Sequence, residues 1–373
     1  MKQSIIRWAG SILASVITLC LLSGVSIADT IKIGVASPYS GDLASYGIPA
    51  KNAAEIAVKA INAKGGILGK QVELLAEDDV CEPNTATTVA AKLVAAKVVA
   101  VIGHLCSGAT EAALPTYRDA KVIVISPAST NPTLTLSGKY PNFFRTIAHD
   151  AAQADLQVAY ALKLGTKKAA VIHDKGTYGK GLASLARDGL EKANVEVVLF
   201  EGITPGAVDY SALIRKISRA KVDTVVFGGY HPEASKIIKQ ARQKKINANF
   251  ISGDGVKDPS FLKVAGKYAE KYYASAPTDV SQVAMAKSVS DEYKKVFGSD
   301  VGTFSLQAYA ALQALAGSIE AAGSTNYDDV VKAMRAKKVN TPLGTINFDA
   351  SGDVLGAGFA MYQVMDGKFV EAK

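Results

Sequence analysis

The sequence predicts an α/β fold in two lobes, each a mostly parallel sheet flanked by helices, with a ligand cleft between them. Three observations carry this. Short β-branched runs alternate with helical stretches over positions 31–126, the pattern of a parallel sheet covered on both faces. The same rhythm restarts at 151 and continues to 252. No long Pro/Ser linker separates the two stretches, which favours lobes joined by short crossings over beads on a string.

The first 28 residues read as a cleaved secretory signal. Lys2 and Arg7 make a basic start, residues 12–25 are mostly apolar, and Ser26-Ile27-Ala28 ends in small residues. The alternative is a membrane anchor, for which the apolar run is short and the small-residue ending is wrong. Cys20 follows the bulky Leu19 rather than the small residue of a lipoprotein site. Cleavage leaves 345 of 373 residues, enough for two domains with cores of their own. It removes two basic residues and no acidic one, so the net charge falls from +8 to +6. Lys236, Lys239, Lys244 and Lys245 are scattered along a helix without interleaved aromatics. That is a solvated basic surface rather than a nucleic-acid face.

Residues 31–35 alternate as a strand, and 37–47 form a polar loop with Pro38, Gly41 and Asp42. Residues 51–64 are a helix with Ala53, Ile56, Ala57, Ala60 and Ile61 on one face, stopped by Gly65-Gly66. A strand at 72–76, a helix at 85–96, a strand at 98–102, a helix at 109–118 and a strand at 122–126 complete the first unit. The second has helices at 151–164, 182–192, 210–219 and 232–244. Its strands are 169–173, 195–200, 224–227 and 249–252, and residues 178–181 form a loop. From 277 the rhythm changes to helices at 284–297, 304–322 and 327–337, with strands at 345–348 and 358–364. This tail is expected to return to the lobes. Residues 29–148 with 278–357 then form lobe 1, and 149–277 with 358–373 form lobe 2.

Gly103-His104-Leu105-Cys106-Ser107 lies between a strand and a helix. Such a turn presents free backbone N–H groups, and here the Ser107 hydroxyl, to an anion. After export only Cys81 and Cys106 remain, an even pair that suggests one disulfide, worth roughly 3 kcal/mol for a loop of this length. The alternative, a metal or reactive thiol, has only His104 nearby and lacks metal spacing. No metal and no cofactor is expected.

Ligands of open parallel sheets meet the loops after the strands' carboxyl ends. In lobe 1 those loops carry Ser107, Ser129 and Thr130; in lobe 2 they carry Tyr178, Tyr230 and Asp254. An anion site facing a cation site across aromatic walls suits a zwitterion with an apolar side chain. Plainer readings stand beside this one. Ser107 and Thr130 also suit helix or turn caps, Asp254 between two glycines also suits a turn, and Tyr178 and Tyr230 also suit surface packing. His173 reads as a structural strand-end residue. Enzyme motifs are missing: Leu105 stands where a nucleophile elbow needs glycine, residues 66–70 lack P-loop spacing, and the four histidines are scattered. His104 beside Cys106 is not a spatial triad. The chain is therefore not read as an enzyme.

Several blocks then carry a resemblance. They are Ile61-Asn62-Ala63-Lys64-Gly65-Gly66-Ile67, Val101-Ile102-Gly103-His104-Leu105-Cys106-Ser107, Ile125-Ser126-Pro127-Ala128-Ser129-Thr130-Asn131-Pro132, Ile172-His173-Asp174-Lys175, Tyr178-Gly179-Lys180-Gly181-Leu182-Ala183 and Gly228-Gly229-Tyr230-His231-Pro232-Glu233. In this order they resemble the periplasmic leucine/isoleucine/valine-binding proteins that feed ABC importers, over essentially the whole mature chain. The resemblance implies a two-lobed type I periplasmic binding fold and a Cys81–Cys106 disulfide. It places carboxylate binding on Ser107 and Thr130. The Ala128 carbonyl and the Thr130 hydroxyl become available to an ammonium group. Tyr178 and Tyr230 match the far-lobe tyrosines, Tyr46 the near-lobe aromatic and Phe304 the pocket phenylalanine.

Two positions depart from the family. Its ammonium-binding glutamate is Asp254 here, one methylene shorter, and Ser129 replaces an alanine. The implied function is capture of an amino acid, branched-chain by family, by a monomeric periplasmic receptor that delivers it to an inner-membrane ABC permease. Neither cofactor nor nucleic acid is involved. The rival readings are the same fold binding alanine, proline or γ-aminobutyrate, a sensory receptor, and, more remotely, an exported hydrolase using Ser107 or His104.

Overall fold

The computed structural model describes residues 30–372; the signal peptide expected at 1–28 lies outside the described residues. Five short runs of the first unit pair as one parallel sheet, β1 (Ile31–Ser37), β2 (Val72–Asp78), β3 (Ala100–Gly103), β4 (Ile123–Ser126) and β5 (Phe143–Arg145), in the order β2-β1-β3-β4-β5. The helices between them are α1 (Ala44–Ala63), α2 (Pro83–Ala95), α3 (Ser107–Asp119) and α4 (Thr133–Leu136). Every residue of β3 and β4 is buried, because helices cover both faces.

The second sheet follows the same logic. Its parallel strands are β6 (Lys168–His173), β7 (Glu196–Gly202), β8 (Thr224–Gly228), β9 (Asn249–Ser252) and β10 (Tyr272–Pro277). Around them lie α5 (Asp150–Lys163), α6 (Thr177–Lys192), α7 (Ser211–Ala220), α8 (His231–Gln243) and α9 (Pro259–Ala265). The tail supplies α10 (Ala284–Phe297), α11 (Ser305–Ala322), α12 (Tyr327–Ala336), β11 (Val339–Thr341), β12 (Gly344–Phe348), β13 (Val354–Leu355), β14 (Phe359–Met365) and β15 (Lys368–Glu371). β14 and β15 add antiparallel to the edge of β10, giving the order β15-β14-β10-β9-β8-β6-β7. Strands β11 to β13 form a small antiparallel sheet. α11 and α12 bury Leu312, Leu315, Ile319, Val330 and Met334 in the core that holds Ile33, Ala53 and Ala57 of the first unit.

Element boundaries differ from the sequence reading at the cleft. α1 begins at Ala44 rather than 51, α3 at Ser107 rather than 109, and α6 at Thr177 rather than 182. Glycine, serine and proline at these starts carry loop chemistry, yet tertiary contacts wind them into helix. β5 and β10 are absent from the sequence reading. β5 is three residues long, and β10 contains Ala-Ser-Ala where a strand would show β-branched residues. Gly103 turns the chain out of β3 at φ +135°, and a Cβ there would lie 2.0 Å from the Ala36 carbonyl oxygen. Only glycine fits that approach.

The turn after β3 is stapled by a Cys81–Cys106 disulfide with Cα atoms 5.5 Å apart. Beside it, the His104 ring lies 2.6 Å from Asp79 Oδ2 and 3.2 Å from the Tyr117 hydroxyl, and Asp79 Oδ1 accepts from the Cys81 N–H at 2.8 Å. His104 is thus a buried partner of Asp79, not of a thiol. Replacing both cysteines with serine should lower stability to urea unfolding by about 3 kcal/mol, the loop-entropy value. An unchanged unfolding midpoint would show that the staple does not restrain the unfolded chain.

Candidate functional site

Residues that follow β3, β4, β6, β8 and β9 meet at one place, beyond the carboxyl ends of strands from both sheets. There a narrow cavity of about 10 Å³ lies between Leu105, Ser107, Ala128 and Phe304 on one side and Tyr178, Tyr230, Asp254 and Gly255 on the other. Residues named from both lobes therefore meet.

Ser107 is the first residue of α3, and its Oγ accepts from the Asn131 N–H at 3.3 Å. The first N–H groups of a helix have no intrahelical carbonyl, so this end of α3 offers donors and a positive dipole end to an anion. Asp254 starts a single 3₁₀ turn after β9. Its Oδ1 accepts from the Tyr178 hydroxyl at 2.7 Å, Gln153 Nε2 at 3.0 Å and the Gly255 N–H at 3.0 Å. Its Oδ2 is buried without a hydrogen-bond partner, and the residue is 2% exposed. Burial pushes the Asp254 carboxyl up to about 6, against the hydrogen bonds from Tyr178 and Gln153 that favour its charge. Tyr178 reaches it because α6 starts close against β8: a Cβ on Gly228 would lie 2.0 Å from the Gly179 oxygen.

The lobes are in contact around this cavity. The Tyr46 hydroxyl donates to the Gly255 carbonyl at 2.6 Å, Ser45 Oγ lies 3.2 Å from His231 Nε2, and Asn131 Nδ2 donates to the Thr177 carbonyl at 2.7 Å. Tyr46 packs edge-on against Phe304 with ring centres 5.6 Å apart. It is a clasp behind the cavity wall rather than part of the lining. Thr130 is fully buried and its hydroxyl has no partner.

The Ser129 hydroxyl is engaged within the protein. Its Oγ lies 3.0 Å from the His104 carbonyl, 3.1 Å from the Leu105 carbonyl and 2.6 Å from Thr110 Oγ1. Those bonds use the hydroxyl to hold the β3 and β4 turns together.

Sequence reasoning missed three residues that support the site. Arg145 donates through Nη1 to the carbonyls of Ser129 at 3.1 Å and Asn131 at 2.9 Å, through Nη2 to the Thr135 hydroxyl, and through Nε to Asp353. Burial lowers the Arg145 pKa, opposed by Asp353. The other two, Asp150 and Gln153, open α5. Gln153 Nε2 donates to Asp150 Oδ1 at 2.9 Å as well as to Asp254, and its Oε1 accepts from the Asp254 N–H at 3.1 Å and Ser275 Oγ at 2.7 Å. In sequence, Asp and Gln three apart at a helix start resemble a capping pair, and Arg145 ends a short aromatic run; neither pattern marks a ligand site.

Residues 30–368 match the family of periplasmic binding proteins. The chain belongs to that family. It is 38% identical over 356 residues to the Leu/Ile/Val-binding protein of Escherichia coli K12, covering 94% of this chain and 95% of that one. It is also 38% identical to a leucine-, isoleucine-, valine-, threonine- and alanine-binding protein of Pseudomonas aeruginosa, covering 90% of each. Among solved structures, a branched-chain amino acid transporter substrate-binding protein of Streptococcus pneumoniae in complex with isoleucine superimposes with a TM-score of 0.81. The two are 31% identical, over 92% of this chain and all of that one. The fold is the type I periplasmic binding fold, and the role is that of a solute-binding protein.

The raised Asp254 pKa gives a signed expectation for the unliganded protein. Burial disfavours the charged form, so Asp254 costs stability wherever it is ionised. The cost is absent below 3.8, grows as pH rises toward about 6, and is constant above it. The difference corresponds to about 3 kcal/mol. Asp254→Asn should therefore be more stable than wild type in urea at pH 7 by up to about that amount, with the gap closing toward pH 4. Equal stabilities at both values would mean that the carboxylate is not held in this dry setting.

Proposed function

We propose that this protein captures a free aliphatic amino acid, with leucine, isoleucine and valine as its ligands, and hands it to an inner-membrane ABC permease. One observation carries the reading: Asp254 Oδ2 is buried at the cavity without a partner. A buried carboxylate oxygen demands a cation or a donor, and an α-ammonium group provides both. The ligand carboxylate then sits at the start of α3, on Ser107 and Thr130, and its side chain lies against Leu105, Phe304 and the tyrosines. The Ala128 carbonyl accepts from the ammonium.

Binding is clamshell closure. The lobes are residues 29–148 with 278–357 and 149–277 with 358–373. The ligand drives closure because it meets Asp254, Tyr178 and Tyr230 only when the lobes are together. The protein acts as a monomer in the periplasm after loss of its signal peptide. The names of its relatives support the ligand class, and family membership supports the permease as partner.

A second reading, for smaller or differently spaced amino acids such as alanine, proline or γ-aminobutyrate, is favoured by one feature. The short Asp254 side chain is held back by three donors on Oδ1. Thermal-shift measurements on refolded, ligand-stripped protein decide between them. A ligand at 100 times its Kd stabilises the folded state by about 2.7 kcal/mol. Leucine, isoleucine and valine should each raise the melting temperature. A response confined to alanine, proline or γ-aminobutyrate would replace the branched-chain reading with the second one. Asp254→Ala should bind at least 100-fold more weakly in calorimetry while keeping its fold by circular dichroism; unchanged affinity would refute the role given to Asp254.

A further inference from the structure

Two carboxylates share one amide nitrogen at the back of the cavity. Gln153 Nε2 is 2.9 Å from Asp150 Oδ1 and 3.0 Å from Asp254 Oδ1. Asp150 is fully buried, its N–H donates to the Thr130 carbonyl at 2.8 Å, and its second oxygen has no partner. The neighbouring Thr130 hydroxyl has none either. Thus an unsatisfied carboxyl oxygen and an unsatisfied hydroxyl belong to two buried residues joined through the backbone, and the Thr130 hydroxyl acts on the Asp150 carboxyl, opposing the effect of burial.

Ionised, Asp150 would be a second buried anion beside Asp254. Asp254 faces it from the 3₁₀ turn, and Tyr178 and Tyr230 face it from lobe 2 with pKa values raised well above the ordinary phenol range, mainly by burial. Arg145, at the end of β5, attracts it but has its guanidinium bonded to Asp353, Thr135 and two carbonyls. His149, the residue before it, uses Nδ1 to cap α5 by accepting from the Ala151 N–H. A ligand ammonium neutralises one carboxylate, not two. Building on the amino-acid reading above, we propose that Asp150 is a positioning residue that stays protonated in the ligand complex. Its O–H donates to Thr130 Oγ1, which turns the Thr130 hydroxyl proton toward the ligand carboxylate.

A second anion here would repel the ligand carboxylate and leave Thr130 with no donor to accept from. The hydroxyl proton would then swing toward Asp150 and away from the ligand. The pocket accordingly selects ligands with one cation and one anion, and its affinity depends on pH at both ends. Desolvation, then the charge of Asp254, raises the Asp150 carboxyl to about 8. Loss of the Asp254 charge weakens binding below about pH 6, and loss of the Asp150 proton weakens it above about pH 8.

Calorimetric titration with leucine from pH 5 to 9.5 tests this. Wild type should lose affinity about tenfold per pH unit above pH 8, the slope for uptake of one proton. In buffers of different ionisation heat at pH 8.5 it should take up a substantial fraction of a proton on binding, and almost none at pH 7. Asp150→Asn keeps a neutral donor. It should hold its own pH 7 affinity to higher pH, until the ligand's own amine titrates. An alkaline limb unchanged in the variant, or no proton uptake by wild type at pH 8.5, would overturn the proposal while leaving the amino-acid reading intact. If stripped wild type binds none of the amino acids at pH 7, the amino-acid reading falls and the proposal with it.

Discussion

Burial of the Asp254 carboxylate is the constraint around which the two lobes are arranged. A charge taken out of water is costly unless its lone pairs are met. The second lobe meets one oxygen with three donors, Tyr178, Gln153 and the Gly255 amide, and leaves the other buried without a partner. Closure keeps water from that second oxygen. On the proposed reading an ammonium group restores its partner, so ligand and closure stabilise each other. An empty closed form keeps the cost without the compensation. This couples binding to the conformational change with no separate switch.

The opposite wall is backed by a buried polar scaffold. The His104 carbonyl receives the hydroxyls of Ser126 at 2.6 Å, Ser129 at 3.0 Å and Thr110 at 3.2 Å. Arg145 holds the chain at 129–135 through two carbonyls and a hydroxyl while Asp353, from the returning tail, balances its charge. Buried networks of this kind specify one arrangement when their members are satisfied. The start of α3, with Ser107, is held in place on one side by the disulfide and on the other by these loops. The tail therefore contributes to the site's rigidity from beyond the two main α/β stretches.

Much of the fold was legible because it rests on local periodicity. β3, β4, β9 and α10 lie where the apolar runs put them. What escaped was set by tertiary contact: β5 and β10 become strands only because a neighbouring edge pairs with them. The site was partly legible. Loop positions after strand ends pointed to Ser107, Tyr178, Tyr230 and Asp254, and family resemblance pointed to Ala128 and Phe304; all six line the cavity. The Tyr46 and Ser129 hydroxyls bond to backbone carbonyls, and the Thr130 hydroxyl is left without a partner. The direction in which a hydroxyl points is fixed by packing across the fold. Asp150 and Gln153 were invisible for the same reason, since their partner Asp254 is about a hundred residues away.

The most direct test is a crystal structure of the protein with leucine bound. The account predicts the ligand enclosed between the lobes, its ammonium within hydrogen-bond distance of Asp254 Oδ2 and its carboxylate at the first turn of α3 beside Ser107. A ligand seated the other way round, with its carboxylate toward Asp254, or bound away from this cavity, would contradict it.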